Sequence, residues 1–203
     1  MAIVIVLVIA YSSVSYSSGS ARLLCLGDSQ TWVWSWQNAG YCEVLDQMRD
    51  DFEVTNAGLS ADTSEGAFVR LKAFLFGRNK YEVVTILIGS NDVKFWATNP
   101  NQPRDTVETI YKMVRHALHN GADYVVVMTP TPASYAERNN FVKAVSELML
   151  QRRWSPARSI KIVDLYKFFE GQWDATNTFD GVHINQQAAA KIADLLADAI
   201  PAQ

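Results

Sequence analysis

RLLCLGDSQT, residues 22–31, decides how the rest of the chain is read. The run RLLCL has no polar alternation, so it reads as a strand covered on both faces, the mark of a parallel sheet. Gly27 then breaks the run and Asp28, Ser29 and Thr31 supply turn and capping chemistry. Four similar runs follow, at residues 52–56 (FEVTN), 83–89 (VVTILIG), 124–129 (YVVVMT) and 160–165 (IKIVDL). Helical stretches separate them, at about residues 34–49, 64–76, 106–119 and 136–152, and a last one spans about 186–199. Asn120-Gly121 closes the third helix, and Pro130 and Pro132 stop the fourth strand. Strand and helix thus alternate five times, the pattern of a doubly wound α/β fold whose sites form at the carboxyl ends of its strands.

A chain of 203 residues, 49% hydrophobic and 19% charged, fits one domain. The net charge of −3, with 18 scattered Lys and Arg, provides no basic face for a polyanion, so nucleic acid is not an expected partner. Residues 2–10 (AIVIVLVIA) are unbroken apolar sequence, shorter than the ~20 residues of a membrane span. Two readings stand for this segment. With the small-x-small pattern Gly19-Ser20-Ala21 it forms a signal peptide for export, although no basic residue precedes the run. Alternatively it is a buried or edge strand joined by a Ser-rich linker, in a chain that stays in the cytoplasm. Either way the domain boundary falls between residues 21 and 22. Cys25 and Cys42 make no disulfide framework and read as two buried free thiols; export would make a bridge between them more plausible.

The chemistry collects after the strands. Ser29 stands on a tight turn just past the first strand, where a glycine permits a sharp bend and backbone N–H groups face an incoming oxyanion. The same triplet also makes an ordinary capping turn. Asp180-Gly181-Val182-His183 precedes the last helix. A seryl hydroxyl needs a base to take its proton, and an imidazole needs an acceptor on its other nitrogen to hold the useful tautomer. His183 and Asp180 can supply both, although an isolated D-x-x-H is also a common surface turn. His116 and His119 lie in the last turns of the third helix, where histidine answers the helix dipole, and with no HExxH motif they form no persuasive metal site. Asn56-Ala57-Gly58 and Gly89-Ser90-Asn91-Asp92 end the second and third strands. The Gly58 N–H and the Asn91 amide are candidate partners of the Ser29 N–H in a three-donor oxyanion hole; taken singly, each loop is also an ordinary Gly/Asn turn.

Four blocks in this order resemble the SGNH subgroup of the GDSL esterases and lipases. The signature residues fall on Ser29 in GDSQT, Gly58 in NAGLSADTS, Asn91 in GSND and His183 in DGVHIN. Gln30 stands where the family usually has leucine or another apolar residue, and Ala61 where it usually has glycine. The resemblance implies that residues 22–203 form a flavodoxin-like three-layer α/β/α sandwich on a five-stranded parallel sheet. It also implies ester or thioester hydrolysis through an acyl-serine, with Ser29, His183 and Asp180 as triad and no cofactor. Asp28 and Asp92 are expected to be structural.

Aromatic residues crowd the same loops. Trp32, Trp34 and Trp36 follow the serine, and Trp32 and Trp36 would share a face of a helix already begun. They either wall the site against an acyl, aryl or sugar group or pack in the core. Trp96, Trp173 and Phe179 are placed by topology to line the cleft. Small acyl or aryl esters, thioesters and lysophospholipids are the leading substrates. Carbohydrate O-acetyl groups, or transfer of the acyl group to another acceptor, are the alternative. A non-catalytic binding module is disfavoured because no motif position is missing.

Overall fold

The structure, a computed structural model, describes residues 20–34, 37–77 and 80–202. Five strands form one parallel sheet: β1 (Ala21–Gly27), β2 (Phe52–Gly58), β3 (Val83–Leu87), β4 (Tyr124–Met128) and β5 (Ile160–Val163). Their order is β2-β1-β3-β4-β5. In-register pairing places Gly27 beside both Gly58 and Leu87. The chain leaves β1 for one neighbour and returns to pair on its other side as β3. Loops leaving β1 and β3 therefore diverge, opening a crevice above their carboxyl ends.

Both faces of the sheet are apolar because both are covered. Leu24, Leu26, Val84, Ile86, Val125 and Val127 pack with Leu71, Ile110 and Phe141. These three come from α2 (Ser64–Phe74), α3 (Gln102–His119) and α4 (Ala136–Gln151). The alternate residues Leu23, Cys25, Val83, Leu87, Val126 and Met128 pack on the opposite face with Leu45, Phe169, Ile192 and Leu196. Those come from α1 (Tyr41–Met48), α5 (Leu165–Phe169) and α6 (Gln186–Ala199). The result is the expected three-layer sandwich. Both cysteines are buried and free on the α1/α6 face, and burial, with Cys25 close by, pushes the Cys42 thiol well up.

Several elements differ in extent from the sequence expectation. The first helix begins at Tyr41 rather than near residue 34, because polar side chains take backbone donors ahead of it: Gln37 Oε1 accepts from Trp34 N–H, and Gln186 Oε1 from Asn38 and Ala39. Gly40 then opens the helix, its N–H bound to Glu43 Oε2 at 3.0 Å. Helix α3 starts four residues earlier than expected, with Pro103 in the first turn, where its missing N–H costs nothing. The fifth strand ends at Val163, and Asp164 caps the short helix α5 by accepting from Lys167 N–H. A 3-10 segment, Ser90–Phe95, follows β3; both it and α5 are too short for a helical period to be visible in sequence. The expectations for residues 1–19 and for Trp36 lie outside the described residues. Among the described residues no helix is long and apolar enough to cross a membrane.

Candidate active site

Directly after β1 the chain wraps around the Asp28 carbonyl, which accepts from Thr31 N–H and Trp32 N–H, both at 3.1 Å. The turn is so close that a Cβ on Gly27 would lie 1.9 Å from Thr31 Oγ1 and 2.5 Å from the Leu87 carbonyl oxygen. Asp28 is buried and holds the loop from inside, accepting from Gln30 N–H at 2.9 Å and Ser90 Oγ at 3.0 Å. Burial pushes its carboxyl up to about 6, against the pull of those hydrogen bonds and of Arg138. Ser29 is 5% exposed at the lip of this turn.

The second half of the site arrives 154 positions later. Thr178 and Ile184 form an antiparallel bridge that pins the base of the loop carrying Asp180 and His183. Asp180 Oδ1 accepts from Val182 N–H (2.9 Å) and His183 N–H (2.8 Å), while Oδ2 faces His183 Nδ1 at 2.7 Å. One carboxylate thus shapes the turn and grips the ring. Burial works to raise the Asp180 carboxyl, but the bonds from His183 and Val182 prevail and hold it below the ordinary value. His183 Nε2 then lies 3.1 Å from Ser29 Oγ. Trp34 closes the back of this pair: its ring meets the imidazole edge-on at 5.0 Å, and its Nε1–H donates to the Ser29 carbonyl at 3.1 Å.

The other two blocks flank the serine. A Cβ on Gly58 would stand 2.4 Å from Trp32 N, so glycine is needed for the nucleophile loop to pass. The Gly58 N–H already donates to Asn56 Oδ1 at 2.8 Å, and reaching a substrate oxygen requires sharing that hydrogen. The Asn91 amide is held at both ends: Oδ1 accepts from the Arg138 guanidinium at 3.2 Å, so the NH2 group turns toward the Asp62 carbonyl at 3.0 Å and toward Asp28. Asp62 is fixed in turn by Arg70, which also binds the carbonyls of Gly27 and Ala57 at the ends of β1 and β2. Asp92 accepts from the Ser64 hydroxyl and N–H and so joins the β3 loop to the start of α2. No sequence pattern marks Arg138 or Arg70, whose partners become neighbours only through the fold.

The aromatic candidates divide. Trp32 is 44% exposed beside Gly58, and Phe179 is 60% exposed next to Asp180. Trp96 turns away instead: it packs on Phe141 and lines a cavity of about 460 Å³ with Pro103, Arg104 and Leu148, between α3 and α4. Trp173 packs on Phe169 and donates to the Gly181 carbonyl at 3.0 Å, bracing the Asp180–His183 loop. His116 packs against Phe68 in the last turn of α3, which leads to the amino end of β4, the edge opposite Ser29. Among the described residues no group of three or more His, Cys, Asp or Glu is arranged to hold a metal ion.

Residues 25–191 match the model of the GDSL-like lipase/acylhydrolase family. The chain is 26% identical over 184 residues to thioesterase 1/protease 1/lysophospholipase L1 of Escherichia coli K12, covering 89% of this chain and 84% of that protein. Its fold is similar to that of a member of the lipolytic G-D-S-L family from Veillonella parvula, with a TM-score of 0.74 at 18% identity over 89% of this chain and 98% of the other. It is also similar to that of an acetyl xylan esterase, with a TM-score of 0.68 at 19% identity over 89% and 100%. The chain belongs to the GDSL-like lipase/acylhydrolase family of ester hydrolases.

Proposed function

We propose that this chain hydrolyses carboxylic esters and thioesters of small acyl or aryl groups, or lysophospholipids, through an acyl-serine formed on Ser29. The observation that carries the reading is the hydrogen-bonded line from Asp180 Oδ2 through His183 to Ser29 Oγ, with steps of 2.7 and 3.1 Å. His183 Nε2 takes the hydroxyl proton as Oγ bonds to the carbonyl carbon, and returns it to the leaving alcohol or thiol as the ester bond breaks. Water then attacks the acyl-serine, giving its proton to His183, and His183 passes that proton to Ser29 Oγ as the bond from the acyl carbon to Oγ breaks and the acid departs. Asp180 keeps Nδ1 protonated and balances the imidazolium. Ser29 N–H is the principal donor to the oxyanion, with the Asn91 NH2 and the Gly58 N–H contributing by sharing hydrogens that they also give to Asp62 and Asp28 and to Asn56. Loss of one such donor typically costs about 2.7–4 kcal/mol of transition-state stabilisation.

Hydrolysis of p-nitrophenyl acetate and butyrate by wild type, Ser29→Ala and His183→Ala tests this directly. Wild-type turnover with both variants lower by several orders of magnitude is the expected result. Equal trace activity in all three refutes the triad. A second reading, removal of acetyl groups from carbohydrate, is supported by the exposed Trp32 beside the serine loop, a flat surface on which a sugar ring can stack. Faster release of acetate from acetylated xylan than hydrolysis of p-nitrophenyl butyrate would favour it.

A further inference from the structure

Gln30 departs from the usual apolar residue of its motif, and the structure gives that departure a job. Its side chain is buried beside Ser29, 3% exposed, and crosses to the histidine loop. There Nε2 donates to the Val182 carbonyl at 2.5 Å and Oε1 accepts from Ile184 N–H at 3.1 Å. These two groups flank His183. A residue in a parallel strand bonds its neighbour in the same pattern, to the carbonyl before and the N–H after the residue opposite. The Gln30 amide therefore acts as a one-residue strand laid along His183.

Other groups grip the same segment elsewhere. Phe179 N–H and the Thr178 hydroxyl both donate to the His183 carbonyl at 2.8 Å, and Gln37 Nε2 donates to the Ile184 carbonyl at 3.0 Å. Of these, Gln30 alone is adjacent in sequence to Ser29, and its own N–H is tied to Asp28. The link from Ser29 to His183 through the Gln30 side chain is thus short and fixed at both ends.

Resting on the triad reading above, we infer that Gln30 is a positioning residue that sets the distance between His183 Nε2 and Ser29 Oγ. An apolar side chain of equal length would fill the space but leave the Val182 carbonyl and the Ile184 N–H without these bonds, and the histidine loop would be free to shift. A displacement of about 1 Å at a reacting group can cost on the order of 100-fold in rate.

The test is steady-state kinetics on p-nitrophenyl acetate for wild type, Gln30→Met and Gln30→Glu, with Ser29→Ala as background. Thermal unfolding and the downfield proton NMR signal of His183 Nδ1–H are recorded on each. Gln30→Met is expected to fold, to lose about 10- to 100-fold in kcat with KM changed less than about twofold, and to broaden or lose the downfield signal. Gln30→Glu keeps the acceptor for Ile184 N–H but sets a carboxylate oxygen against the Val182 carbonyl, so it too should lose kcat selectively; it decides the matter if the methionine variant does not fold. A folded variant with wild-type kcat and an unchanged downfield signal overturns the inference while leaving the triad intact. Wild-type activity no higher than that of Ser29→Ala would instead sink the triad reading itself.

Discussion

Ala61 adopts φ +62°, the left-handed region in which a side chain is strained, at the motif position where glycine is usual. A left-handed conformation costs a residue with a Cβ roughly 1–2 kcal/mol, and glycine escapes most of that at some entropic cost in the unfolded chain. Ala61→Gly is therefore expected to stabilise the protein by about 0.5–1 kcal/mol in denaturant unfolding; a loss of stability would show that the Ala61 methyl makes a compensating contact. At this scale the sequence speaks where backbone chemistry is local. Gly27 and Gly58 are legible because a turn or a close approach requires glycine, and Ser29 and His183 because their motifs are short. Gln30, Trp34 and Arg138 are not, since each acts on a residue that only folding brings near, such as Arg138 on Asn91, 47 positions away.

Elements differ in how much of their extent is written locally. Helix α6 matches its sequence reading because Asn185 caps it, accepting from Gln187 N–H and Ala188 N–H at 3.0 Å each, and because Ala188, Ala189, Ile192 and Leu196 give it one buried face. Asn185→Ala should cost about 1 kcal/mol, lowering the melting temperature by roughly 2–4 °C in a chain of this size. Because α6 follows His183 directly, kcat measured well below the melting temperature reports whether fraying of the cap reaches the histidine; a fall in kcat larger than about twofold would show that it does. Helix α1 is the contrary case. The segment before it has apolar residues enough for a helix, but the N–H groups of Trp34, Asn38 and Ala39 are taken by Gln37 and by Gln186 at the start of α6. A tertiary partner thus overrides local propensity.

For the molecule as a whole, the buried Asp28 couples stability to pH. Its carboxyl is raised to about 6 from an ordinary 3.8, so between about pH 4 and 6 the folded chain holds a proton that the unfolded chain has released. The stabilisation is complete below the unfolded value and is lost as pH rises through the folded one, a fall of roughly 3 kcal/mol. Asp180 and Glu82, held low by their hydrogen bonds, act in the opposite direction at lower pH. Unfolding free energies of wild type and Asp28→Asn, compared at each pH, isolate the Asp28 contribution. The difference should move in favour of the variant from pH 4 to 6 and then level off, whereas a constant difference would show that Asp28 titrates alike in both states.

The alternation of strand and helix, the parallel sheet and the placement of the Ser29, Gly58 and Asn91 blocks at strand ends, with the His183 block just ahead of the last helix, were determined by sequence alone. Apolar runs, glycine turns and capping residues act over a few positions, and burial on two faces leaves a visible composition. Tertiary structure decided the strand order, the meeting of Ser29 with His183 across 154 positions, the orientation of the Asn91 amide and the packing of Trp96 on Phe141 and of Trp173 on Phe169. Those outcomes depend on hydrogen bonds and packing between segments distant in the chain. Their geometry exists only once the layers have closed.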